Sequence, residues 1–236
     1  MKWKSLALLA TPLVLAGCQQ ETQPARHENL AQSGKPAETA PQADEQVILA
    51  LGDSLFAGYG LEPGQSYPAH LETALRAEGR KVRIVNAGVS GDTTADGLQR
   101  IDFVLKSLPA KPALAIVSLG GNDMLRGVSP AETRRNLEAI LAKFKAAGVP
   151  VLLLGMLAAP NLGADYAGRF NPIYPALAKK HGARLVPFFL QPLIGRPQLV
   201  QADHIHPTLQ GIDLLVADTL DNVTQALPRS APPTPR

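Results

Sequence analysis

The sequence predicts an α/β fold, with a central parallel sheet of five strands and helices on both of its faces. Three observations carry this expectation. Residues 47–51, 82–86, 114–119, 151–155 and 184–186 are short, nearly continuous apolar runs. That is how a strand covered on both faces reads. The segments between them are spaced like helices. The two patterns alternate along the chain, which implies crossover connections and parallel strands.

The elements follow in order. After the first run, Tyr67-Pro68 opens a helical segment with Leu71, Ala74 and Leu75 on one face. The segment 129–147 carries the best local signals. Ser129 and Glu132 have the spacing of a capping box, and Pro130 occupies the first helical position. Leu137, Ile140, Leu141 and Phe144 form an apolar stripe. Gly148 ends the helix and Pro150 blocks its return. A last helix follows Pro207, with Leu209, Ile212, Val216 and Leu220 on one side.

The 236 residues suffice for one domain with appendages. A single cysteine excludes a disulfide framework and a thiolate zinc cluster. Residues 1–18 carry only Lys2 and Lys4 as charges, so the remainder holds 21 basic and 20 acidic residues, net +1. Such a balance gives no electrostatic case for nucleic acid.

The ends read differently from the core. Met1 to Lys4 is a short basic start, and 5–16 is apolar but too short to span a bilayer. It runs into Leu15-Ala16-Gly17-Cys18, which resembles the lipobox of bacterial lipoprotein signals. That resemblance implies acylation of Cys18 and membrane anchoring of an exported protein. Gln19 in place of Asp implies the outer membrane, with the domain facing the periplasm. Residues 19–45 have Leu30 as their one large aliphatic side chain. They cannot bury enough surface to offset their ordering entropy, and are expected to be a disordered tether. The Pro-rich tail 228–236 is expected to be disordered too, leaving 46–227 as the folded domain. A monomer is expected.

In parallel α/β sheets the site lies at the carboxyl ends of the strands. Four polar clusters fall there or before the last helix: Gly52-Asp53-Ser54-Leu55, Ser90-Gly91-Asp92-Thr93, Gly120-Gly121-Asn122-Asp123 and Asp203-His204-Ile205-His206. Taken singly, each is a common turn composition. Together they supply the parts of nucleophilic acyl transfer. A serine hydroxyl needs an adjacent base, and imidazole suits that role near neutral pH. A carboxylate must then orient the ring. Ser54, His206 and Asp203 are the candidates. The backbone N–H groups of Ser54 and Gly91 and the side-chain amide of Asn122 are candidate donors to the oxyanion.

Gly-Asp-Ser-Leu, the later Gly91, Gly-x-Asn-Asp and Asp-x-x-His resemble the GDSL or SGNH hydrolases over about residues 46–227. The four name-giving residues map to Ser54, Gly91, Asn122 and His206. Ser90 to Thr94, Asn161-Leu162-Gly163, Tyr174 to Ala178 and Val186-Pro187-Phe188-Phe189 look most like its bacterial arylesterase, lysophospholipase and acyl-thioesterase branch. The resemblance implies a flavodoxin-like three-layer α/β/α sandwich, a serine esterase acting on a small-molecule or lipid ester, and no metal or organic cofactor. It also places the loop 156–166 beside an acyl-binding groove, so Leu157 and Leu162 are expected to shape chain-length preference. Two competing readings are a carbohydrate O-acetyl esterase of the cell envelope and a non-catalytic envelope lipoprotein.

Other residues are set aside. Gly-x-Ser-x-Gly is absent, which argues against the α/β-hydrolase fold. His204 and His206 with Asp203 have metal-ligand chemistry, but no further His or Cys cluster completes a set. Asp53 and Asp123 are expected to tie down their own loops. His70 and His181 read as surface or packing residues.

Overall fold

The computed structural model describes residues 45–228. Cys18, the expected signal, most of the expected tether and all but the first residue of the Pro-rich tail lie outside them.

Five strands form one parallel sheet: β1 (Gln46–Gly52), β2 (Val82–Gly88), β3 (Leu114–Ser118), β4 (Val151–Leu154) and β5 (Arg184–Val186). Their order across the sheet is β2-β1-β3-β4-β5. The chain therefore reverses its direction of winding between β1 and β3, where a crevice opens at the carboxyl edge. Register fixes what meets there. Gly52 pairs with Gly88 on one side and Ser118 on the other. Hence the loops that follow β1, β2 and β3 leave the sheet at the same height.

β1, β3 and β4 are buried along almost their whole length, which is why their sequences do not alternate. The observed strands match the expected runs to within a residue or two. β2 runs two residues past the expected end at Asn86: Ala87-Gly88 reads as a loop, yet it continues the ladder because Leu51 and Gly52 of β1 offer partners.

The longer helices are α2 (Tyr67–Ala77), α3 (Thr94–Ser107), α5 (Pro130–Ala146), α6 (Gly163–Phe170), α7 (Ile173–His181) and α8 (Leu209–Ala226). Two short ones, α1 (Ser54–Ala57) and α4 (Gly121–Leu125), sit at strand ends. α2 packs on α8, while α3, α5 and α7 pack in series. The buried Tyr67 hydroxyl is 2.7 Å from Thr219 Oγ1, which joins α2 to α8. Under α1, Phe56 stacks on Tyr67 at 5.3 Å, and Phe189 meets both rings edge-on. This aromatic cluster is the floor on which the Ser54 corner rests.

Local capping differs from expectation in one respect. Ser129 accepts from the Glu132 N–H as expected, at 3.2 Å. The reciprocal capping box is instead complete at Thr93 and Asp96, opening α3 directly after the Gly91 loop.

Candidate active site

The site is built from three strand ends and one turn. β1 delivers Asp53 and Ser54. Asp53 is the N-cap of α1, with Oδ1 accepting from Leu55 N–H at 3.0 Å, so it ties down its loop as expected. Burial pushes its carboxyl up to about 6, against the opposing pull of the Leu55 N–H and the nearby imidazole.

The turn before α8 delivers the other partners. His206 Nε2 lies 2.7 Å from Ser54 Oγ, and His206 Nδ1 lies 2.6 Å from Asp203 Oδ2. Ser54 and His206 are 152 positions apart in sequence, so the tertiary fold creates this contact. Asp203 Oδ1 also accepts from the Ile205 and His206 N–H groups at 2.9 and 3.0 Å. The His206 N–H, then the imidazole and the Ile205 N–H, hold the Asp203 carboxyl down at about 2. It is therefore charged throughout the range in which imidazole titrates. His204 has φ +59, an uncommon left-handed conformation for a side chain with a Cβ. The turn is held by the His204 N–H on Gln201 O at 3.0 Å and the Gln201 N–H on His206 O at 2.7 Å.

The oxyanion candidates come from the ends of β2 and β3. Gly91 has φ +87, the left-handed region that favours glycine. Among the described residues, neither the Ser54 nor the Gly91 N–H has a protein acceptor. Asn122 Nδ2 donates to Asp92 O at 2.9 Å. That bond orients the amide and leaves its second N–H to donate elsewhere. Just before it, Gly120 has φ +111, and a Cβ there would sit 2.2 Å from the Tyr174 hydroxyl. Asp123 accepts from the Thr94 N–H at 2.7 Å, the Thr94 hydroxyl, and the Thr133 hydroxyl at 3.2 Å. It thus ties α4 to α3 and α5, a longer-range role than the local loop contact expected of it.

Ser54, Gly91, Asn122 and His206 line one groove of about 810 Å³. Its other walls are largely apolar, with Met156, Leu157, Phe188, Leu190 and Ile194 among them. Leu157 is therefore where the sequence expectation put it. Leu162 is not part of this lining. It is half-buried at the end of a 3₁₀ turn, Pro160–Leu162, and leads into α6.

Four groups around the site escaped the sequence reading. Arg100 on α3 donates to Asp92 Oδ2 at 2.6 Å and to Gly52 O at 2.9 Å. One guanidinium thereby spaces the β1 corner from the Gly91 loop. Arg126 donates to Gly91 O at 2.7 Å. Gln201 Nε2 donates to Tyr59 O and Pro207 O at 2.8 and 2.9 Å, joining the serine corner to the histidine turn. Tyr59 packs on the His206 ring, centroids 4.4 Å apart. Arginine on an amphipathic helix reads as a solvated face, and no local spacing announces such long-range bonds.

The profile of the GDSL-like lipase/acylhydrolase family matches residues 50–214, well over half of the chain. The chain belongs to that family. It is a serine ester hydrolase. "Esterase TesA" of Pseudomonas aeruginosa is 45% identical over 168 residues, covering 71% of this chain and 83% of that protein. "Thioesterase 1/protease 1/lysophospholipase L1" of Escherichia coli K12 is 41% identical over 70% of this chain and 77% of its own length. Among solved structures, AlinE4, an SGNH-hydrolase family esterase, is 61% identical with a TM-score of 0.67. It covers 79% of this chain and 99% of AlinE4. The α/β/α sandwich with its all-parallel five-stranded sheet is the architecture of these hydrolases.

Proposed function

We propose that this GDSL hydrolase cleaves aryl esters, short- to medium-chain acyl esters and lysophospholipids, and that acyl thioesters enter the same site. The supporting observation is the unbroken chain Ser54–His206–Asp203 at the foot of a mostly apolar groove. Ser54 Oγ attacks the acyl carbonyl while His206 Nε2 takes its proton. Asp203 holds the resulting imidazolium. The oxyanion collects donors from Ser54 N–H, Gly91 N–H and Asn122. His206 then protonates the leaving alcohol. It next deprotonates a water that releases the acid from Ser54. The apolar walls favour an acyl chain over a sugar ring. The names carried by the relatives support the same substrate range.

The sequence supports placement of the enzyme in the cell envelope, lipidated at Cys18 in the outer membrane, facing the periplasm and monomeric. In that setting lipid esters are within reach. A chain-length series of p-nitrophenyl esters on the purified protein tests the activity. Turnover is expected to peak at short to medium chains and to vanish in Ser54→Ala. Equal turnover by the variant overturns the mechanism. Fractionation of Cys18→Ser tests the anchor, and retention in the membrane fraction counts against it.

A further inference from the structure

Two aromatic side chains, Tyr59 and Phe188, line the groove, and the Tyr59 wall is one that nothing in the acyl-transfer machinery accounts for. Tyr59 is 53% exposed, although its ring packs against the His206 imidazole at 4.4 Å with a 32° tilt. An exposed tyrosine ordinarily moves freely. Here its backbone is fixed, because Tyr59 N–H donates to Ser54 O at 3.2 Å and Tyr59 O accepts from Gln201 Nε2 at 2.8 Å. Next to it, His204 and Ile205 line the same groove, and Ile205 is 43% exposed. The His204 backbone there is left-handed, with φ +59.

The chemistry assigns directions around Ser54. Carbonyl oxygen must point toward Gly91 and Asn122. The leaving oxygen must come within hydrogen-bond reach of His206 Nε2, which gives it a proton. The residues touching His206 therefore border the leaving group. The walls formed by Met156, Leu157, Phe188 and Ile194 remain for the acyl chain.

We propose that Tyr59, with His204 and Ile205, forms a leaving-group subsite selective for aromatic alcohols. A phenol or naphthol expelled as the acyl-enzyme forms lies against the Tyr59 ring while His206 protonates its oxygen. Ring-to-ring contact favours an aromatic leaving group over an alkyl one of similar size. The bond formed is Ser54 Oγ to acyl carbon, and the bond broken is acyl carbon to aryl oxygen. The proton moves from Ser54 to the aryl oxygen through His206. This rests on the esterase reading above.

The test compares two butyrates with one acyl group: phenyl butyrate and trifluoroethyl butyrate, an alkyl ester with an acidified leaving alcohol. The readout is the aryl-to-alkyl ratio of kcat/KM. Tyr59→Ala and the bulkier apolar Tyr59→Leu are expected to lower that ratio about tenfold. Tyr59→Phe is expected to keep it within twofold. Equal losses on both esters would mean that Tyr59 only buttresses His206, and would overturn the subsite. A loss confined to 1-acyl lysophosphatidylcholine would overturn it in favour of a lipid headgroup. If wild-type protein hydrolyses none of the three esters, the esterase reading itself has failed, and the subsite with it.

Discussion

Asp53 and Asp203 carry the same side chain and both feel the same imidazole, yet the two corners that hold them act oppositely. At the serine corner, Asp53 is 2% exposed and pushed up to about 6 by burial. At the histidine turn, Asp203 is 34% exposed at its side chain and held at about 2 by hydrogen bonds. Depth is thus no guide to catalytic role. The carboxylate that touches His206 is the shallow one, because a one-turn spacing lets it meet both the ring and two backbone N–H groups. The deep one supports the helix that carries the nucleophile.

Exchanging each carboxyl for an amide separates the two corners most strongly. Asp203→Asn is expected to lower kcat roughly 10³- to 10⁴-fold, since the ring loses its orienting charge. Asp53→Asn keeps an N-capping oxygen and is expected to cost less than tenfold. Comparable losses from both would erase the distinction. Stopped assays on one p-nitrophenyl ester decide it.

Arg100 comes next in size, because it ties the serine corner to the Gly91 loop. Lysine keeps the charge but cannot reach Asp92 and Gly52 O together. Arg100→Lys is expected to lower kcat about tenfold with KM within twofold, as the oxyanion donors drift apart. A change in KM alone would mean that the bridge serves binding instead.

The pH dependence of stability distinguishes the corners in sign. Asp53 has a raised folded value, so the unfolded chain ionises first. Stability is lost as pH rises from 3.8 to about 6, a loss of roughly 3 kcal/mol once both states are ionised. Asp203 has a depressed value, so its contribution is present above the ordinary carboxylate range and is lost as pH falls toward about 2. Urea titrations of Asp53→Asn are expected to show a gain at pH 7 that disappears by pH 3. A gain of equal size at both pH values would contradict the buried-acid account.

The smallest effect belongs to the acyl wall. Leu157→Trp is expected to shift the preferred p-nitrophenyl ester toward shorter chains by a few-fold in kcat/KM. The same change at Leu162, outside the lining, is expected to leave the profile in place. A shift at both sites would extend the groove beyond its observed walls.

The corners also differ in how legible they were. Strands buried on both faces announce themselves by apolar continuity, so the sheet was readable. The last two residues of β2 were not, because Ala87 and Gly88 look like a turn until β1 supplies their partners. Ser54, Asp203, His206, Gly91 and Asn122 were readable, since acyl transfer admits few side-chain types at strand ends. Arg100, Gln201 and Tyr59 were hidden. Their contacts are long-range in sequence, reaching Gly52, Tyr59 and His206 respectively. Leu162 was misjudged because loop sequence does not say which residues face inward.

The account stands on Ser54 as the atom that carries the acyl group. Incubation with a fluorophosphonate, digestion and peptide mass spectrometry locate that atom directly. The expected result is one adduct on the peptide containing Ser54, formed slowly or not at all in His206→Ala. An adduct on any other residue, or unchanged labelling after Ser54→Ala, would contradict it.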